Sequence, residues 1–240
     1  MLFNEALQEA RLLKRYKRFL ADIRLDDGEV ITIHCPNTGS MKNCQSSESR
    51  IWYTDSRNAK RKYPCTWQII EIESRYLVGI NTGLANKLVR EAIEMATIRQ
   101  LTGYSNLRTE VCYGEQNSRI DILLENPSQR DSPDCYIEVK NVSLGVGNGL
   151  GMFPDAVTTR GQKHLQELMQ MRKQGYRAVL LFCVQHSGID RVTPADDIDP
   201  VYGRLLREAA RQGVEVLAYA TEFDLKNSSI VLGRELAVEL

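Results

Sequence analysis

The 240-residue sequence has no stretch approaching the ~20 apolar residues of a membrane-spanning helix, and its first residues lack an apolar signal core. It also lacks close-set cysteines. The six lie at 35, 44, 65, 112, 135 and 183, and no pair has the spacing of a zinc knuckle or a redox dithiol. Several sit in apolar, strand-like runs, where cysteine behaves as a small hydrophobe. These absences point away from a disulfide scaffold and a membrane partner, and towards a reducing cytoplasm. Net charge is missing too, with 31 basic and 31 acidic side chains. Its distribution is slightly uneven: residues 1–83 hold 13 basic against 10 acidic, and residues 84–240 hold 18 against 21. A polyanion would therefore meet the N-terminal part first. No internal repeat or low-complexity segment is present.

What is present divides in two. The first eighty residues carry short alternating runs, "KRFLADIRL" (17–25), "EVITIHC" (29–35), "SRIWYTDS" (49–56), "CTWQIIEIES" (65–74) and "YLVGINT" (76–82). Five such strands with turn signals between them predict a small barrel of the oligonucleotide-binding (OB) type over residues 1–83. From 84 the texture changes. "GLANKLVREAIEMATIRQLTGY" has helical spacing up to a stop at Gly103, and strands are predicted over 107–113, 118–125 and 135–141. "YGEQN" reads as a turn and "NPSQRDSPD" as a loop between them. A glycine-rich "LGVGNGLG", without the Lys-Ser/Thr ending of a P-loop, reads as a flexible flap. A helix follows to Gly175, then an apolar strand over 177–184, a helix around 200–212 and a strand over 214–220. Continuous apolar strands alternating with helices indicate a mixed α/β domain over 84–240 with strands buried on both faces.

The chemistry is concentrated in "SRIDILLE" and "CYIEVKN". Asp121 is the acid inside an otherwise apolar strand, and Glu138 and Lys140 share one face of the next. If the strands are neighbours, the two carboxylates converge on a hard cation, Mg²⁺ or Mn²⁺, with the Val139 carbonyl as a third ligand. Lys140 then points at the attacking hydroxide or the phosphoryl group, and the set suits phosphodiester hydrolysis. The alternative for an isolated E-x-K is a solvated strand face, and spacing alone leaves both readings open. His34 has no second His or Cys at ligand spacing and reads as a strand residue, since imidazole and thiolate suit zinc rather than Mg²⁺.

The blocks "RYKRFLADI", "HCPNTGSM", "KRKYPCTW", "SRIDILL", "CYIEVKNVSL" and "FPDAVTTRGQKHLQEL" span nearly the whole chain. In this order they resemble the sugar fermentation stimulation protein A family. The resemblance implies an OB-like barrel joined to a PD-(D/E)xK nuclease-like domain, a sequence-nonspecific DNA-binding activity, and a regulatory part in maltose metabolism. The nuclease-like signature it implies falls on Asp121, Glu138 and Lys140, the helix acid of that fold on Glu91, and a polar helix position on Gln162. Two departures are Cys112, where relatives often carry a basic residue, and Thr159, where an acid is common.

Candidate DNA contacts form three groups. "RLLKRYKRF" contributes Arg15, Lys17 and Arg18, and "RNAKRKYPCTW" contributes Lys60, Arg61 and Lys62, both with interleaved aromatics. The turn "HCPNTGSM" offers Asn37, Thr38 and Ser40 to phosphate or to the metal cleft. Arg160 sits near a predicted helix N-terminus, where anions are favoured. The expectation is thus a two-domain DNA-binding protein with a Mg²⁺-dependent hydrolytic site. The alternative is a non-catalytic DNA-binding regulator of sugar metabolism. Oligomeric state is left open, a homodimer included.

Overall fold

A computed structural model describes residues 1–114, 118–126 and 133–240. Six strands build the N-terminal sheet: β1 (Gln8–Tyr16), β2 (Leu20–Arg24), β3 (Val30–His34), β4 (Arg50–Asp55), β5 (Cys65–Ile72) and β6 (Tyr76–Gly79). They lie in the order β3-β2-β1-β4-β5-β6. The first five close into a barrel through a parallel bridge between His34 and Thr66, and β6 extends β5 as a hairpin. Alternate residues fill the barrel: Leu12, Ile23, Ile33, Ile51, Trp67 and Ile70 are wholly buried. Trp67 resolves its one polar atom by donating Nε1–H to the Ile69 carbonyl at 3.0 Å.

The C-terminal domain begins with a 3₁₀ turn (Thr82–Leu84) and α1 (Ala85–Glu94). Then come β7 (Asn106–Tyr113), β8 (Ser118–Glu125), β9 (Cys135–Val142), β10 (Leu144–Gly145), β11 (Leu150–Phe153) and α2 (Thr159–Lys173). The chain finishes with β12 (Arg177–Val184), β13 (Arg191–Pro194), α3 (Pro200–Arg211), β14 (Glu215–Asp224) and β15 (Ser229–Val238). Nine of these strands form one mixed sheet, ordered β10-β11-β13-β15-β14-β12-β9-β8-β7. β12 runs parallel to both β9 and β14 at the centre, which is why "RAVLLFCV" is apolar without alternation. α1 covers one face with Leu88 and Val89. α2 and α3 cover the other with Leu165, Leu168, Tyr202 and Leu206.

Backbone joins the two domains. Val78 bridges His186, Gly79 N–H donates to the Gln185 carbonyl at 2.9 Å, and Ser187 N–H donates to the Leu77 carbonyl at 2.9 Å. β6 therefore borrows a short partner strand from the segment after β12. The approach is close enough to require glycine. A Cβ on Gly188 would sit 2.5 Å from the Tyr76 ring, and one on Gly145 would sit 2.6 Å from His186 Nε2.

Several expectations need correction. β1 is a strand where the sequence reads as a basic cluster, and residues 17–19 are its turn into β2, with positive φ at Lys17 and Arg18. The first helix stops at Glu94 rather than Gly103, because Ala96 turns to φ +56° and a 3₁₀ turn (Arg99–Leu101) follows. "LGVGNGLG" is no flap but the β10–β11 hairpin, locked into the sheet through β13. β14 runs on to Asp224, and β13 and β15 are additions to the predicted strands. The "YGEQN" turn and "NPSQRDSPD" loop fall largely on 115–117 and 127–132, outside the described residues. Five cysteines are buried and all six are free; Cys112 is exposed on β7.

Candidate active site

Strands β8 and β9 pair only at Leu124–Cys135, Leu123–Tyr136 and Ile122–Ile137, and beyond that point they part. The Asp121 side chain occupies the gap. Its Oδ2 accepts the Val139 N–H at 2.7 Å, and its Oδ1 accepts the Asn86 amide of α1 at 2.8 Å. A strand residue directs its N–H and C=O to the same edge, so the Val139 carbonyl also faces this gap. Burial, and then the charge of Glu138, push the Asp121 carboxyl above its ordinary range; the bonds from Val139 and Asn86 offset part of that.

Glu138 lies alongside, 2% exposed. Its Oε1 receives the Lys140 ammonium at 2.6 Å and the His164 Nδ1 of α2. Arg160 Nε lies 3.3 Å from His164 Nε2, and Lys140 Nζ lies 3.1 Å from His164 Nδ1, so the imidazole is held between the two cations and the Glu138 carboxylate. Burial pushes the Glu138 carboxyl up, but His164 and then Lys140 outweigh it and hold it below the usual carboxylate range. Its Oε2 is buried and has no hydrogen-bond partner among the described residues. An ionised, desolvated oxygen left over in this way costs free energy unless something positive meets it.

The donor set therefore fits a divalent cation: the spare Glu138 oxygen, Asp121, and a backbone carbonyl turned into the same gap, all hard oxygens. Among the described residues no group of three or more His, Cys, Asp and Glu side chains is arranged to hold a metal. Lys140, with its side chain only 12% exposed, completes the cluster.

Other sequence-predicted residues lie elsewhere. Glu91 pairs with the Met1 amino group at 2.6 Å instead of joining Asp121 or Glu138. Gln162 donates to both oxygens of Asp199, the N-cap of α3, at 3.0 and 3.1 Å. Arg15 is a clamp: one nitrogen, Nη2, serves the carbonyls of Arg18, Asn37 and Gly39. That clamp holds the 37–39 turn, where Asn37 Oδ1 accepts Gly39 N–H at 2.8 Å. Ser40 donates to Asp155 of the α/β domain at 2.8 Å, and Thr38 is exposed.

Two basic segments do meet on one rim of the barrel. Cys35 N–H donates to the Phe19 carbonyl, Leu20 pairs with His34, and His34 pairs with Thr66. Arg61 Nη2 reaches Thr66 Oγ1 at 3.4 Å. Burial and then the Arg61 guanidinium lower the His34 pKa, which places that charge beside the 17–19 turn. Lys17, Arg18, Lys60, Arg61 and Lys62 are all exposed.

His164, Asn86 and Glu167 also border the cluster, and none of them is among the site residues the sequence predicts. Glu167 is 3% exposed and one helical turn from His164, and a Cβ on Gly114 would touch its carboxyl at 2.9 Å. Tyr113 joins that side: burial, then the charges of Glu138, Glu167 and Asp121, raise its phenol. The signal lies in "HLQE", an i, i+3 pair of polar residues on the buried face of α2.

An N-terminal OB-type barrel and a C-terminal mixed α/β domain built on one nine-stranded sheet are the architecture this geometry describes. Comparison with known proteins agrees. A family model for the SfsA N-terminal OB domain matches residues 13–80, and one for the sugar fermentation stimulation protein RE domain matches residues 83–227. The sugar fermentation stimulation protein homolog of Shewanella loihica is 55% identical over 231 residues, covering 96% of this chain and 97% of that protein. The homolog of Thioalkalivibrio sulfidiphilus is 53% identical over 240 residues, covering 100% and 98%. The structure of Pyrococcus furiosus SfsA in complex with Ca²⁺ superposes with a TM-score of 0.85 at 26% identity, over 100% of both chains. The chain belongs to the sugar fermentation stimulation protein family.

Proposed function

We propose that this protein binds DNA without sequence preference and hydrolyses its phosphodiesters at the Asp121–Glu138–Lys140 cluster with the help of Mg²⁺ or Mn²⁺. The observation that carries this reading is the buried, unpartnered Oε2 of Glu138 beside a second carboxylate and a lysine. A pure DNA binder gains nothing from two acids near a polyanion unless a cation screens them. A bound divalent ion would supply charge neutralisation of the phosphate and a more acidic water. The chain's own part is to hold the two carboxylates in place through Val139, Asn86 and His164. Lys140 adds an ammonium where charge develops on the phosphoryl oxygens. The exposed rim of Lys17, Arg18, Lys60, Arg61 and Lys62 holds the backbone electrostatically. That the matched Pyrococcus furiosus structure is a Ca²⁺ complex is in keeping with a hard-cation site in the family.

A second reading has its own observation. Lys140 and His164 both already contact Glu138 Oε1, so the cluster balances part of its charge without a metal. This favours a regulator that uses the nuclease-like fold to bind DNA without cutting. One experiment separates the two: linear, circular and single-stranded DNA incubated with Mg²⁺, Mn²⁺ or chelator. Cleavage that needs metal and disappears in Lys140→Ala supports hydrolysis. Binding with no cut in either metal supports the regulator.

A further inference from the structure

A cleft of about 250 Å³ opens where the barrel's 37–39 turn meets the α/β domain. Its walls include Asn37, Asn141, Ser143 and Asp155, and its floor includes Met152 and Phe153. Resting on the DNA reading above, we infer that this cleft receives one unpaired nucleobase of a DNA strand, making single-stranded or locally opened DNA the preferred substrate.

Three observations argue for a base. First, the polar groups are built in and unspent. Asn37 is 7% exposed, and its Oδ1 is used by the Gly39 N–H, which identifies Nδ2 as the remaining donor. That donor has no partner among the described residues. Asn141 Oδ1 likewise accepts from Gln185 Nε2 at 2.6 Å, which leaves its own amide hydrogens to donate. Asp155 takes the Ser40 hydroxyl on Oδ2 and keeps Oδ1. Amide donors beside a carboxylate acceptor match the edge of a base that carries carbonyl and amino groups together.

Second, the occupant is not phosphate. No lysine or arginine lines the cleft, and Asp155 repels an anion. The site is also smaller than the ~300–1,000 Å³ of pockets for drug-sized ligands, which suits one ring system over an oligomer. Phe153, backed by Phe182 and Tyr202 at ring separations of 5.6 and 5.2 Å, provides a rigid apolar floor. Stacking on such a surface is tolerant of base identity.

Third, the position is right. Asn141 directly follows Lys140 in β9. On the other side, Arg15 ties the 37–39 turn to the Arg18 carbonyl of the basic rim. Lys140 and Asn141 face opposite sides of β9, so on this inference the DNA strand reaches the Lys140 side from the rim by way of the sheet's end, where the cleft opens, and an unpaired base drops into it. Paired bases cannot, because their edges are already occupied.

The test is fluorescence anisotropy with three labelled oligonucleotides of one length: a normal single strand, a duplex, and a single strand with all bases replaced by abasic sugars. Wild-type protein, Asn37→Asp and Asp155→Asn are compared, each checked for folding by its thermal melt. Asn37→Asp keeps the acceptor for Gly39 and removes the donor; Asp155→Asn keeps an acceptor for Ser40. The normal strand should bind about tenfold tighter than the abasic one, and each variant should lose about five- to tenfold of that affinity while duplex binding is retained. The two substitutions change charge in opposite directions, so simple electrostatics would make Asp155→Asn bind every DNA more tightly. That result, or equal affinity of wild type for normal and abasic strands, overturns the base site and leaves backbone binding standing. Failure to bind all three oligonucleotides overturns the DNA reading and this inference together.

Discussion

His164 shows how a single side chain converts a fold into a site. Asp121, Glu138 and Lys140 are legible because acids stand out in apolar strands. His164 is not, because a histidine on a helix surface has the same sequence signature as one on its buried face. The structure places it at 5% exposure with Nδ1 against Glu138 Oε1, and on the function proposed above that contact leaves Oε2 to the cation. Partners of this kind set ligand orientation and typically change metal affinity about 10–100-fold. His164→Ala should therefore lower Mn²⁺ affinity at least about tenfold by titration calorimetry run well below its melting temperature, which should itself fall because Glu138 loses a buried partner. Unaltered affinity would remove His164 from the site. Glu91 is the converse case: its helical position resembles that of a nuclease acid, but the N-terminus reaches it first.

At the scale of elements, what the sequence conceals is tertiary in origin. β1 exposes Arg11 and Lys14, turns Arg15 in to the 37–39 turn and has a register shift between Leu12 and Lys14, so alternation breaks and the strand reads as a charged patch. α1 ends without glycine or proline nearby, because the chain must turn at Ala96 to bury Ile98 and Leu101 against the sheet. The strands β3, β5 and β12 need no such context, because their apolar runs end at turn residues or charges, and their predicted positions match closely. The α2–α3 corner depends on Asp199, which accepts from Tyr202 N–H and Thr158 N–H, each at 2.9 Å, and from Gln162. Burial pushes its carboxyl up, but the Thr158, Tyr202 and Gln162 bonds outweigh burial and hold it low. A depressed acid stabilises the fold above its unfolded pKa and loses that contribution as pH falls through the folded one. Asp199→Ala should cost about 1–2 kcal/mol in urea unfolding at pH 7. The difference from wild type should shrink steadily below about pH 4, where unfolded Asp titrates. A gap that stays constant with pH would mean the charge contributes nothing.

At the scale of the whole molecule, electrostatics and the joint between domains matter most. Net charge is zero, so any hold on DNA must come from a local field, and the rim around His34 is where exposed cations gather. Replacing Arg61 and Lys62 by Ala should weaken duplex binding and reduce the slope of log K against log salt by about 0.9 for each phosphate left without its cation. An unchanged slope would move the interface off this rim. The joint is equally specific. Gly188→Val drives a branched side chain into the Tyr76 ring. It should cost about 1–3 kcal/mol, as overpacking does. Limited proteolysis should then cut between residues 79 and 84 at a rate wild type does not show. Equal resistance would mean that the ring has room to move.

The borrowed strand at that joint has one more consequence. Because Leu77 and Gly79 take their partners from Gln185 and Ser187, neither half is self-contained. A fragment starting at Gly83 would carry a bare hydrogen-bonding edge next to β12, and a fragment ending there would leave β6 with one side unmet. Such edges recruit other chains. The short segment between the two matched regions is thus a poor place to divide the polypeptide, and either piece made alone is expected to self-associate.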